Sequence, residues 1–258
     1  MLRPRITPCL LIHKRGLVKT VGFKNPKYVG DPINAVRIFN EKEADELVVL
    51  DIDATVNDAE PDYQMISKLA NECRMPFCYG GGIKTADQAK QIISLGVEKI
   101  AISSAAIEHP ELIAQISEEI GCQSTVVVMD LKKNIFGNDY NIFIKNARNN
   151  TKRSIFDLAV EIEKLGAGEL IINSIDLDGQ MSGYDLVLAQ KVKKLVNIPI
   201  TILGGAGSLG DIEALISTCG IVGASAGSLF VFKGAYKAVL INYPTLIQRD
   251  KLIHKALS

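Results

Sequence analysis

The chain has 258 residues, 47% apolar and 22% charged, the balance of a globular α/β protein built as one domain over residues 1–258. Twenty-nine Lys and Arg cancel twenty-nine Asp and Glu, so no global field draws it to nucleic acid or to an anionic membrane. Five cysteines without a CxxC pair and three scattered histidines exclude a sequence-encoded metal centre, and nothing calls for a cofactor.

Short β-rich runs alternate with amphipathic stretches along the whole chain. Strands are expected at 5–12, 46–52, 76–79, 99–103, 125–130, 169–175, 199–203 and 221–226. Between them, stretches such as "TADQAKQIISLG" and "SIFDLAVEIEKLGAG" place apolar residues at helical spacing, with Gly96 and Gly166 where helices should end. Eight strand–helix units in this length predict a (βα)₈ barrel, with a doubly wound open sheet as the alternative. Two connections are long. Residues 14–31, rich in Lys and Gly, follow the first strand, and 132–152, containing the hairpin-like "IFGNDYNIFI", follow the fifth. Both fall at the strand C-termini, the catalytic face of such barrels. Cys9, Cys78 and Cys122 lie in or beside apolar runs and read as buried small hydrophobes. With no signal-peptide core and no membrane-length apolar run, a cytoplasmic location with reduced thiols is expected.

The chain repeats itself. "EADELVVLDIDAT" from Glu43 aligns with "GAGELIINSIDLDG" from Gly166, and Glu46 to Glu169 sets an offset of 123 positions. The same offset pairs Pro76 with Pro199, Gly81 with Gly204, Gly82 with Gly205, and sets Ser104 and Ala105 opposite Gly227 and Ser228. Two similar halves imply one closed barrel, since half a barrel would leave open sheet edges. Each half carries glycines between a strand and a helix, the arrangement that brings backbone amides to an anion. Gly81 and Gly82 with Ser103 and Ser104, and Gly204 and Gly205 with Gly227 and Ser228, therefore read as two phosphate cradles. A substrate with a phosphate at each end would span them.

Taken together, "YGGGI…AISSAA", "LGGAG…AGSLF", "LDIDAT", "SIDLDGQMSGYD" and "GFKNPKYVGDP" resemble the cyclase subunits of imidazole glycerol phosphate synthases, over essentially the whole chain. The resemblance implies a lyase/cyclase of histidine biosynthesis. It would combine a bis-phosphorylated ribonucleotide with ammonia from a separate glutaminase, docked on the opposite face of the barrel. Of the family's two catalytic aspartates, Asp130 matches the one ending strand five. The strand-one position holds Leu11, as the chain's own symmetry also indicates: "LLIHK" from Leu10 superposes on "MDLKK" from Met129. Loss of one half of an acid/base pair costs about 10²–10⁴ in rate. His13, two positions on, is the one nearby substitute, with a solvated loop histidine as its plainer reading.

The resemblance also makes Asp51, Asp176, Asp178 and Gly179 supporting substrate or loop residues and Lys19 a lysine closing over the substrate. Arg5, Glu46, Lys99 and Glu169 match a charged ring at the ammonia entrance, and Glu98 is placed to meet a basic residue of the glutaminase. The chain carries no glutaminase triad, so ammonia from glutamine requires that partner. Three readings stay open at this point. The chain is a cyclase that tolerates Leu11, or a paralogue delivering ammonia to an N-acetyl sugar for surface polysaccharide, or a non-catalytic activator of a glutaminase.

Overall fold

The structure, a computed structural model, describes residues 3–134, 139–234 and 236–258. Eight parallel strands close on themselves: β1 (Arg5–His13), β2 (Leu47–Asp51), β3 (Phe77–Gly80), β4 (Lys99–Ile102), β5 (Thr125–Lys133), β6 (Glu169–Ser174), β7 (Ile200–Leu203) and β8 (Gly223–Ala226). Each pairs with its sequence neighbours, and β8 pairs with β1, so no open-sheet alternative survives. Alternation along each strand sorts the side chains. Cys9, Val48, Cys78, Ala101, Val126, Val128, Ile171 and Leu203 fill the inside of the barrel. The intervening residues, such as Leu10, Val49, Val127 and Ile172, join a second apolar layer beneath the helices.

The covering helices are α1 (Pro32–Glu41), α2 (Tyr63–Glu72), α3 (Ala86–Ser94), α4 (Glu111–Ile120), α5 (Ile155–Lys164), α6 (Leu186–Lys193), α7 (Leu209–Cys219) and α8 (Leu246–Leu257). Their starts are written locally: Asp31, Asp62, Thr85, Ser154, Asp185, Ser208 and Thr245 each accept a backbone N–H from the first turn. Gly96 and Gly166 sit just past α3 and α5 with φ of +98° and +97°, as the sequence leads one to expect.

Four features differ from the expectation. The connection at 14–31 is an antiparallel hairpin, Gly16–Val21 with Lys24–Gly30, that extends β1 above the barrel. The hairpin expected in "IFGNDYNIFI" instead uses the prolonged end of β5 as one strand and Tyr140–Ile144 as the other; residues 135–138 lie outside the described residues. Cys122 is exposed, because α4 ends at Gly121 and the chain turns there before entering β5, whereas Cys9 and Cys78 are buried. Lastly, α7 has 11 residues against 9 in α3, and the repeat shifts register behind it. Gly227 and Ser228 consequently stand opposite Ser103 and Ser104, each pair starting a short helix, Ser104–Glu108 or Ser228–Val231.

After β8 the chain forms a small hairpin, Phe232–Lys233 with Ala238–Val239, before α8 seals the base. The Tyr243 hydroxyl donates to the Ile6 carbonyl (2.6 Å) and accepts from the Asp45 amide (3.2 Å). Arg249, 2% exposed, pairs with Asp45 and lies over the Tyr243 ring. Among the described residues no helix is long and apolar enough to cross a membrane.

Candidate active site

The C-terminal ends of the strands surround an open cavity of about 1230 Å³, including its mouth. Its lining contains Gly81, Gly82, Ser103 and Ser104 from the first half of the chain and Gly204, Gly205, Gly227 and Ser228 from the second. Lys19, Asp51, Asp130, Asp178, Gly179 and Leu11 line it as well. Asp176 and His13 do not.

The glycines allow backbone to approach backbone. Gly205 has φ +110°, and a Cβ there would lie 2.0 Å from the carbonyl oxygen of Gly183, whose amide donates to the Gly205 carbonyl at 2.9 Å. The helices behind the glycines, α3 and α7, begin with capping boxes, Thr85 with Gln88 and Ser208 with Asp211, which take up their N-cap and third-position amides. The short helices that start at Ser104 and Ser228 have no side-chain cap and present their first amides at the cavity. The Ser103 hydroxyl beside one of them is buried and without a partner.

Lys19 is carried into the cavity by the first hairpin. Its ammonium donates to the Cys9 carbonyl at 2.6 Å, and no carboxylate lies within ion-pair distance of it among the described residues. A side chain at Gly227 would collide with that ammonium, so cation and short-helix N-terminus adjoin. Burial lowers the Lys19 pKa and pushes the neighbouring Cys9 thiol up to about 11, which keeps it protonated. Asp178 latches the hairpin: its carboxylate accepts from Thr20 Oγ1 (2.6 Å) and the Phe23 amide (3.1 Å), and its carbonyl accepts from the Gly22 amide (3.0 Å). Gly179 next to it has φ +70° and touches the same hairpin strand.

Asp51 accepts from the amides of Asp53 (2.8 Å) and Ala54 (3.2 Å), and burial raises its pKa. The exposed Asp176 instead accepts from the Lys133 amide at 2.8 Å and so ties down the hairpin after β5. Its counterpart in the repeat is Asp53, which accepts from the Lys14 amide and from His13 Nδ1, both at 2.7 Å. His13 is thus held outside the cavity. Sequence reasoning passed over Lys145 and Asn146, which line the same cavity; the Lys145 amide donates to Ser104 Oγ at 2.9 Å. Three successive residues with positive φ, Lys145, Asn146 and Ala147, make this turn, and no glycine or proline marks it in the sequence.

Asp130 lies deep in the cavity, and burial raises its pKa to about 7, with the Asn173 amide opposing the shift and the Asp178 charge adding to it. Asn173 Nδ2 donates to Asp130 Oδ1 at 2.9 Å. In the sheet register Asp130 is opposite Asn173, and Leu11 is opposite Leu50. Leu11 therefore occupies the place in the first half that Asp130 occupies in the second.

At the other end of the barrel, four charges close into a ring. Arg5 bonds Glu46 (2.8 Å) and Glu169 (2.7 Å), and Lys99 bonds the same two carboxylates at 2.6 and 2.8 Å. Thr201 Oγ1 adds a hydrogen bond to Glu169 at 2.6 Å. Burial works against the Glu169 charge, yet Arg5, Lys99 and Thr201 outweigh it and hold this carboxyl below its ordinary value. Above the ring, Thr7, Val48, Cys78, Val126 and Ile171 line a narrow interior that points toward the cavity floor. Glu98 is exposed at the same end and accepts from the Phe77 amide at 2.7 Å.

The profile of the family described as "Histidine biosynthesis protein" matches residues 5–237. A "Putative imidazole glycerol phosphate synthase subunit HisF" of Leptospira borgpetersenii is 55% identical over 252 residues, 98% of this chain and 99% of that protein. Similar proteins bearing that name as hisF3 in Vibrio vulnificus (54%, 98% and 97%) and as hisF2 in Pseudomonas aeruginosa (49%, 97% and 99%) align just as completely. With a closed barrel and a match over nearly its whole length, the chain belongs to the histidine biosynthesis protein family, among its HisF-like imidazole glycerol phosphate synthase subunits.

Proposed function

We propose that this chain is the synthase subunit of a glutamine amidotransferase complex. A glutaminase seated over the Arg5–Glu46–Lys99–Glu169 ring supplies ammonia, which crosses the barrel interior. At the mouth it meets a substrate anchored by a phosphate in each cradle. The reading rests chiefly on one observation: two uncapped short-helix N-termini, related by the repeat, face a single cavity, and a buried Lys19 ammonium without a carboxylate stands beside one of them. Anions satisfy such groups, and a pair of sites selects a doubly phosphorylated ligand.

The substrate this predicts is the bis-phosphorylated ribonucleotide of the cyclase reaction, with Asp130 as proton donor. Given that compound and ammonium salt, the protein turns it over, Asp130→Asn abolishes turnover, and a glutaminase co-purifies. Failure to bind or stimulate any glutaminase would overturn the ammonia reading. Leu11 favours a second reading, since a leucine at Asp130's counterpart position cannot exchange a proton. On that reading the ammonia acceptor is a different one, such as an N-acetyl sugar amidinated for surface polysaccharide. Turnover of the ribonucleotide only after Leu11→Asp would support it.

A further inference from the structure

The cavity floor is chemically two-faced, and the duplicated architecture makes the contrast legible. In the second half, register partners Asp130 and Asn173 are joined by an amide–carboxyl hydrogen bond of 2.9 Å. In the first half, the equivalent register partners are Leu11 and Leu50, which pack onto the apolar interior formed by Cys9, Val48 and their neighbours. Leu203, beside Asn173 in register, continues that apolar wall. Of these four register positions only one carries a carboxyl group.

We propose that Asn173 is a positioning residue for Asp130: its amide occupies Oδ1, so the proton of the neutral acid sits on Oδ2, the oxygen left to the ligand. An N–H donor requires a lone pair on the oxygen it meets, and in a protonated carboxyl the carbonyl-type oxygen accepts more readily than the hydroxyl oxygen. Asn173 Nδ2 donates to the carboxyl at 2.9 Å, and the Ser103 hydroxyl, kept in every variant below, also favours its ionised form. Asn173 is itself 6% exposed, and pairing to β5 and β7 fixes the backbone that carries it. Leu11 and Leu50 complete the arrangement. They stand at the register positions that correspond to Asp130 and Asn173 and supply no carboxylate there. The inference rests on the reading of the cavity as an active site, but its test does not.

The charged and titratable groups around Asp130 are Cys9 on β1, Lys19 on the first hairpin, Asp51 at the end of β2, Asp178 after β6 and Lys145 after the β5 hairpin. A titration must therefore compare variants that leave all five in place. Asn173→Thr and Asn173→Val do so. The two new side chains share one shape suited to a strand and differ in a single hydroxyl donor. The measurement is the carboxyl-carbon chemical shift of Asp130 against pH, by NMR on the full chain without substrate. Asn173→Val should raise the Asp130 midpoint by about one pH unit, because a donor that favours the ionised form is lost, while Asn173→Thr stays within about 0.3 unit of the parent. Equal midpoints in the two variants would overturn the proposal. So would an Asp130 that titrates like a solvent-exposed aspartate in the parent chain. Where turnover is found, Asn173→Val should lower kcat about tenfold at unchanged KM and move the pH–rate profile with the NMR midpoint, whereas a merely structural Asn173 would leave the profile in place. A chain that never accepts the bis-phosphate can still pass the NMR test, and an active chain can fail it, so the two readings fall separately.

Discussion

At the base of the barrel, Arg5, Glu46, Lys99 and Glu169 are paired wholly with one another, at 2.6 to 2.8 Å. At the mouth, the Lys19 ammonium has a carbonyl but no carboxylate within ion-pair distance among the described residues, and the Ser103 hydroxyl has no partner. Both regions bury charge or polarity, which carries a desolvation cost wherever it occurs. The base offsets that cost internally, with each carboxylate between two cations, fully enough at Glu169 to hold its pKa down though not at Glu46, where burial still raises it. The mouth does not, and its unsatisfied donors converge on one cavity. A ring complete without a ligand is suited to being a structural closure that a docking partner acts upon. A set left incomplete is suited to binding something absent from the free chain.

This contrast can be attacked at several points. The largest effect belongs to the mouth's scaffold. Gly205→Val sets a branched side chain at φ +110° against the Gly183 carbonyl, so urea denaturation should show a loss of about 4 kcal/mol or more, and phosphate binding should vanish with it. A variant of parental stability would mean that the turn can move aside. Next is the ring. Lys99→Met leaves Glu46 and Glu169 buried with one cation between them and should cost about 3 kcal/mol in the same assay, part of it recovered by adding Glu169→Gln. A neutral result would show that the ring is already hydrated.

Asp130 gives a smaller, pH-dependent effect. A free aspartate titrates near ~4 and this one at about 7, so between those values the unfolded chain has released a proton that the native chain keeps. Stability contributed by this group accordingly falls as pH rises through that window and levels off above it. Asp130→Asn should match the parent below pH ~4 and exceed it progressively up to pH ~8, by at most the about 4 kcal/mol that a shift of this size supplies, read from unfolding midpoints across pH. The reverse trend would mean that Asp130 is ionised and paired in the native state. Smallest is Lys19→Met. Inorganic pyrophosphate should bind about tenfold more weakly, while the melting temperature holds or rises, because the lysine's burial is relieved by no carboxylate. Unchanged pyrophosphate affinity would remove Lys19 from the anion site.

Much of this was legible before any coordinates. The eight strands, the repeat, the gathering of the glycine cradles with Asp130 in one cavity, and the charges that make the ring all follow from spacing, repetition and family resemblance. The exceptions are instructive. The glycine motifs drew attention to α3 and α7, whose starts carry their own capping boxes, and not to the uncapped short helices at Ser104 and Ser228. Asp176 and Asp178, two positions apart, resembled equivalent ligands, yet one ties a hairpin at the surface and the other latches the first hairpin over the cavity. The Lys145–Asn146 turn carries no glycine or proline to mark it.

By itself the sequence determined the barrel and its two-fold repeat, because alternation of apolar residues and capping chemistry are local properties that each segment carries with it. It also set Leu11 against Asp130, since that pairing needs only the repeat. Which amides stay free, that Asn173 and not a carboxylate meets Asp130, and that four distant charges join in one ring were decided by the tertiary structure. These depend on strand register and barrel closure, which in the ring alone join Arg5 to Glu169, 164 positions apart, and no local window of sequence contains such a distance.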